Sequence, residues 1–479
     1  MALNFLTTSQ HGQQRHRLIY LPALILVLLL SACAHTVSPE TAQLDIAIPE
    51  TFTLYEETVP APDRWWEAFG SEELNLLIAE TLDANLTLKI AIARLEQSQA
   101  LAVQAGADRS PDLSLRAGAS ETRRSTEGQT VSDSTWNLSL VSNWELDFWG
   151  RVRAEHRAAL IDVEASREDL YAATLTLASE VALKWLEVIS VHRQLALYQE
   201  QLQTNQTILE LIELRYLKGL ANVLDIYQQR QAVAENEAGL PQLEARLQTL
   251  LHELAVMGGK PPRTELGLHA LKFPDLSGPP DAGIPADLLS RRPDLRAAGL
   301  DLRAAQNQVA AARAGRLPSV NLSATAGFSA SKLGDLVENW LATLAANLTW
   351  SLYNSGNKTA AVTRQEKIVE ERLASYGQAV LNAMREVEDA MVRENKQTAY
   401  IDSLNRQLEI SRNGFREAVS RYRKGLSDYL PVLSALTSTQ RLERTIVQAR
   451  LERLGQRVKL HRALGGGWMA EEFEATIDD

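Results

Sequence analysis

The chain has 479 residues and a formal net charge of −11, from Lys+Arg 49 against Asp+Glu 60. No basic tract rises above the background, which argues against a nucleic-acid partner, and a single cysteine excludes an internal disulfide. Hydrophobic residues at 45% with aromatics at 6% fit a folded, helix-rich protein.

At the amino terminus Arg15, His16 and Arg17 precede the apolar run LIYLPALILVLLL, which ends in Leu30-Ser31-Ala32-Cys33. The run is short for a membrane span and suits a signal-peptide core. Small residues leading into a cysteine resemble the bacterial lipoprotein cleavage box. That resemblance implies a signal peptide over 1–32, with a covalent diacylglycerol and an N-acyl chain on Cys33. Ala34 stands where many inner-membrane lipoproteins carry aspartate, so the resemblance implies export to the outer membrane. Acyl chains contribute about 0.8 kcal/mol per buried CH₂, and stable anchoring takes more than one. Residues 33–70 read as a proline-bearing linker that ends in an aromatic knot, Trp65, Trp66 and Phe69, expected to be a packing anchor. Ser71 then opens a helix with Glu72 and Glu73 in its first turn, where the helix dipole favours acid. This helix is predicted to reach about Asp108.

Next come segments with a period of two. Leu113, Leu115, Ala117 and Ala119 alternate with small or polar residues, as do Trp136, Leu138, Leu140 and Trp144. Two further segments lie in the second half: Val320 to Phe328, and Trp340 to Trp350. An apolar face with Trp near its ends and a small polar face on the other side is the pattern of a membrane β-barrel. Segments of roughly ten residues suit a tilted crossing of the hydrocarbon layer. A lipid-exposed sheet edge is forbidden, because unpaired backbone groups cost several kcal/mol each there. Four strands cannot enclose a lumen, so the barrel needs more than one chain. Two chains would give a filled interior, and three would leave room for a channel.

The stretch from Gly150 to Gly219 contains no other glycine and no proline. Val181, Val188, Leu195, Leu202, Leu209 and Tyr216 recur every seven positions, the signature of a left-handed supercoil. The 69 positions (219 − 150) would make a helix about 100 Å long at about 1.5 Å per residue. Gly356 to Gly425 is again 69 positions (425 − 356), with Val387, Ile401, Leu408, Phe415 and Tyr422 in line and Glu394 interrupting once. WELDFWG recurs as WSLYNSG, and RYLKGLANVL as RYRKGLSDYL, both at an offset of 206 (350 − 144; 421 − 215). The chain is duplicated. The helix starting near Leu224 carries Pro241, where a kink or break is expected. Domain bounds follow: a first repeat over 71–257, a connector over 258–285 that holds six of the 16 prolines, a second repeat over 286–464 and an acidic tail over 465–479. In the connector's exit, Arg291-Arg292-Pro293-Asp294, the proline suits a first helical turn and the arginines suit capping and pairing.

WWEAFGSEELNLLI, WELDFWGRVRAE, IPADLLSRRPDLRAA, both RYxxGL segments and the ending ALGGGW resemble the TolC-like outer membrane factor family, in its efflux and NodT-type lipoprotein branch. The fold expected is mainly α with membrane β: duplicated long-helix hairpins plus four strands per chain. The resemblance implies a homotrimer with a twelve-stranded outer-membrane barrel and a periplasmic α-helical barrel. It implies as partners a periplasmic adaptor, an inner-membrane transporter and outer-membrane lipid. It also places the glycine turns, Gly219-Leu220 and Gly425-Leu426, against the adaptor. Asp225, Asp428 and Leu430 are the residues expected at the periplasmic aperture, whereas Ser434 replaces an aspartate that some relatives carry. Neither metal-ligand spacing among the eight histidines nor a phosphate loop after a strand suggests an enzyme, and no cofactor beyond the acyl chains is expected. The rival reading is a periplasmic coiled-coil tether that conducts nothing.

Overall fold

The computed structural model describes residues 46–52, 64–126, 129–270, 272–276 and 278–466. The expected signal peptide, Cys33 and most of the tail lie outside these residues. The chain runs α1 (Glu72–Ala84), α2 (Leu86–Ala107), β1 (Ser114–Thr126), β2 (Gln129–Leu146), α3 (Arg151–Leu217), α4 (Val223–Met257) and α5 (Leu288–Arg291). It continues as α6 (Pro293–Ala314), β3 (Ser319–Ala330), β4 (Trp340–Thr349), α7 (Asn357–Arg423) and α8 (Leu430–Ala463). The two long helices, α3 and α7, are 67 residues each, one per repeat. No described helix is long and apolar enough to cross a membrane.

Two expectations change. The helix opening at Ser71 is two helices, because Asn85 stops the first and caps the second. Its Oδ1 accepts from Thr87 N (2.8 Å) and Leu88 N (3.0 Å), while its Nδ2 donates to Met257 O (2.7 Å). Of the kink or break expected at Pro241, the break does not occur: α4 is one helix through it. Pro241 is exposed, so water can serve the carbonyl that its missing N–H leaves unpaired.

By contacts the described chain divides into two compact units, one formed by Glu96–Glu164 with Gly299–Ser375. That unit holds a single antiparallel sheet in the order β1-β2-β3-β4. Its register aligns Ala117, Leu138, Phe328 and Trp340 in one row across all four strands, and Leu115, Leu140, Ala326 and Ala342 in another. Apolar residues thus share one face. β1 and β2, at 13 and 18 residues, exceed the ten expected. Alternation ends near Ala119 and Trp136, but backbone pairing continues through polar residues to Thr126 and Gln129. Two tryptophans fix the turns from helix to strand: Trp144 Nε1 donates to Arg109 O (3.1 Å) and Trp350 Nε1 to Arg316 O (3.3 Å). Arg151 opens α3 between Glu145 (2.7 Å) and Glu155 (2.8 Å).

The second unit takes the described residues up to Leu95, Ala165–Ala298 and the chain from Tyr376 onward. Its aromatic knot is core, with Trp65, Trp66 and Phe69 all buried. Ser71 caps α1, and Glu73 ties three segments together by accepting from Trp185 Nε1 (2.7 Å), His269 N (2.6 Å) and Ala270 N (3.1 Å). Pro293 starts α6, and the buried Arg292 pairs with Asp294 (2.7 Å) and Glu386 (2.9 Å). The seven-residue line of α3 is buried at Val181 and Val188 but exposed by Tyr216. Gln201, Asn205 and Ile212 take the buried positions instead. A helix with 3.6 residues per turn drifts about 20° per heptad from a strict seven-residue line, which accounts for the change of face.

His461 stacks on Trp65, ring centroids 5.5 Å apart at 21°. Burial, helped by the neighbouring Arg457 charge, pushes its imidazole down to about 3. The unfolded chain binds this proton below about 6.5 and the native chain does not, so stability falls as pH drops from about 6.5 toward 3. The slope approaches about 1.4 kcal/mol per pH unit. His461→Phe keeps the stack and removes the proton site. Between pH 6.5 and 5 the variant should lose about 2 kcal/mol less than the wild type in urea titrations.

Candidate functional site at the glycine hairpins

Each long helix ends in the same turn. Gly219 has φ 70° and Gly425 φ 73°, a left-handed backbone that glycine adopts without Cβ strain. In the first copy Gly219 N donates to Tyr216 O (2.9 Å) and Leu220 N to Arg215 O (2.8 Å). In the second, Gly425 N donates to Tyr422 O (3.0 Å) and Leu426 N to Arg421 O (2.9 Å). This paired pattern is the Schellman ending. It presents Leu220 and Leu426 to solvent, 59% and 72% exposed.

The two copies differ one residue further on. Asn222 and Asp225 form a capping box at the start of α4, with Asp225 Oδ2 accepting from Asn222 N (3.1 Å). The Asp225 carboxylate is therefore engaged locally. Asp428 is exposed, and Leu430, 60% exposed, opens α8 with Pro431 behind it.

What joins the copies is an arginine–tyrosine pair that crosses from one to the other. Arg215 of the first copy lies over the Tyr422 ring of the second, 4.6 Å from its centroid. It also donates to Arg423 O (3.3 Å) and Leu220 O (3.4 Å). Tyr422 meets Tyr429 edge-on at 5.6 Å, and Tyr429 Oη donates to Gln229 Oε1. Burial raises both phenols above their ordinary values. Asp225 adds to the rise in each, while Arg215 opposes it at Tyr422.

From there a buried polar ladder runs up the bundle. Gln229 Nε2 donates to Asn205 O (2.7 Å), and Asn205 Nδ2 to Gln440 Oε1 (3.4 Å). Gln201 Nε2 donates to Gln440 O (3.2 Å), and Arg444 reaches Gln201 Oε1 (2.9 Å). Amides in a helical core specify register at the expense of stability. Ile212, Ile226, Tyr422, Tyr429 and Val432 form the apolar cluster beneath them.

Chemically, the hairpins offer leucine tips, an Arg–Tyr latch between copies and a capped helix start. Among the described residues no group of His, Cys, Asp or Glu could hold a metal ion.

Comparisons with known proteins agree with this architecture. A family model described as "Outer membrane efflux protein" matches residues 77–260 and 284–466. Over 467 residues the chain is 34% identical to the pyoverdine export outer membrane protein OpmQ of Pseudomonas aeruginosa, covering 93% of this chain and 96% of that one. It is 26% identical over 460 residues to the cation efflux system protein CusC of Escherichia coli, covering 92% and 97%. The solved structure of the outer-membrane channel OprN superposes with a TM-score of 0.85 at 27% identity, covering 90% of this chain and 99% of that one.

Proposed function

Because the chain belongs to the outer membrane efflux protein family, and is thereby an outer-membrane channel of a tripartite efflux system, we propose that three copies close its sheet into one duct. The observation that carries this is the sheet itself: four antiparallel strands with an apolar face, whose outer strands β1 and β4, among the described residues, each pair on one side only. In lipid those edges need partners. Three copies supply them in a twelve-stranded ring with room for a lumen. In detergent the full chain should run as a heat-modifiable trimer and conduct ions in planar bilayers. A stable, non-conducting monomer would favour the tether.

Leu220 and Leu426 would meet the periplasmic adaptor, which links the duct to the inner-membrane transporter. Exposed leucines on rigid turns suit a protein contact. Cys33 would carry the diacylglycerol and N-acyl chain. Labelled palmitate should enter the wild type and not Cys33→Ser.

Asp225, Asp428 and Leu430 would line the aperture. Asp428→Ala removes an exposed charge and should raise single-channel conductance with unchanged thermal stability. Asp225→Ala should raise conductance as well, and it should also lose about 1 kcal/mol because it breaks the capping box. Unchanged conductance in both variants would remove these residues from the gate.

A further inference from the structure

A cavity of ≈ 530 Å³ opens between the connector and three long helices, away from the hairpins. Four cations line it: Arg193 on α3, Lys272 on the connector, and Arg450 and Arg453 on α8. Among the described residues only two carboxylates, Asp275 and Asp402, share the wall. None of the four cations forms an ion pair among the described residues, whereas Arg457, one helical turn beyond Arg453, is paired with Glu394. Arg453 Nε is buried without a hydrogen-bond partner. Guanidinium groups bind carboxylates through paired, charge-assisted hydrogen bonds, so the unmet chemistry is that of an acidic group. Phe273 and Leu454 supply apolar wall beside the charges.

We propose that this cavity is the docking site for the acidic segment that follows α8 in the same chain. The sequence after Gly467 is WMAEEFEATIDD, which carries Glu471, Glu472, Glu474, Asp478 and Asp479 with no Lys, Arg or His. Its charge complements the cavity, and Phe473 lies among the acids to meet the apolar wall. The geometry of departure permits the return. α8 ends in two successive left-handed glycines, Gly465 (φ 91°) and Gly466 (φ 71°), which turn the chain off the helix axis. Arg453 lies ten positions before Ala463, about 15 Å back along the helix. Glu474 lies eight positions beyond Gly466, a reach of up to about 26 Å when extended. Covalent attachment supplies the acids at an effective concentration in the millimolar range, independent of dilution. Docked there, the segment straps the connector to α8.

The test uses the full chain in detergent with Asp275→Cys and Ala475→Cys, oxidised with copper phenanthroline and mapped by peptide mass. The expected product is a disulfide within one chain, formed at least tenfold faster than with a control pair, Lys424→Cys and Ala475→Cys. Arg450→Glu with Arg453→Glu should slow it about tenfold, and adding Glu471→Lys with Glu472→Lys should restore it. If the charge-reversed protein fails to fold, 1 M NaCl applied to the original pair serves instead. There the Debye length is about 3 Å and the reaction should slow. A rate equal to the control's, or one indifferent to both charge reversal and salt, overturns the proposal. So does cross-linking only between chains, which would assign the cavity to a neighbouring copy's segment.

Discussion

Arg457→Ala should destabilise the helical unit by about 3–5 kcal/mol, the cost of leaving one member of a buried ion pair alone. Glu394 and Arg457 are each 4% exposed. The guanidinium Nε donates to both carboxylate oxygens (3.1 and 3.0 Å), NH2 lies 2.5 Å from Oε1, and NH1 donates to Gly278 O at 2.9 Å. One side chain therefore neutralises the acid on α7 and holds the connector's backbone. Its removal strands a carboxylate in the core and frees the connector. Glu394→Gln should be nearly as damaging, because it leaves the charged arginine. Glu394→Leu with Arg457→Met should recover most of the loss, since apolar replacement of both partners removes the desolvation penalty. Melting of the proposed trimer would depend on concentration, so hydrogen exchange of α7 and α8 amides is the better readout. Exchange in Arg457→Ala equal to that of the wild type would show that the pair contributes nothing.

Glu394 also shows how far the sequence can be read. In the heptad line it is an interruption at a position where an apolar residue belongs, and nothing nearby in the chain explains it. Its partner is 63 positions away. The repeat, both 67-residue helices and the alternation in four strands were legible because each is a periodic, local signal. The polar extension of β1 and β2 was not, since backbone pairing there continues after side-chain alternation has stopped. The Asn85 break was missed because an amide that caps a helix looks from sequence like any polar surface residue. At Pro241 the sequence left a kink and a break both open, and only the break is absent, because a helix can continue past a proline that costs it one hydrogen bond. The latch was hidden by the duplication itself. Arg215-Tyr216 and Arg421-Tyr422 are the same dipeptide at an offset of 206 (421 − 215), yet Arg215 joins Tyr422 while Tyr216 is exposed and Arg421 pairs with Glu417 on its own helix. Self-similarity reveals that two copies exist, but not which copy supplies which half of a contact.

That asymmetry makes Arg215→Ala the variant expected to change conduction most. The side chain contributes a cation–π contact to Tyr422 and two long hydrogen bonds to carbonyls on both hairpins. For a half-exposed group these together amount to about 1–2 kcal/mol of hairpin pairing. At about 1.4 kcal/mol per factor of ten, the population with separated hairpins should rise about 5- to 30-fold. If the aperture is bounded by these turns, mean conductance in planar bilayers rises and the Leu220 and Leu426 amides exchange faster. Arg421→Ala is the matched control. It removes the same residue type from the other copy, where among the described residues its side chain pairs only with exposed Glu417 at 2.9 Å, and should leave conductance unchanged. Arg215→Lys should fall between them, because it keeps the charge but lacks the planar fork that stacks on tyrosine and spans two carbonyls. Equal conductance for Arg215→Ala and Arg421→Ala would mean that the hairpins part independently of this contact. The constriction would then have to be sought in the ladder of Gln201, Asn205, Gln229 and Gln440 above it.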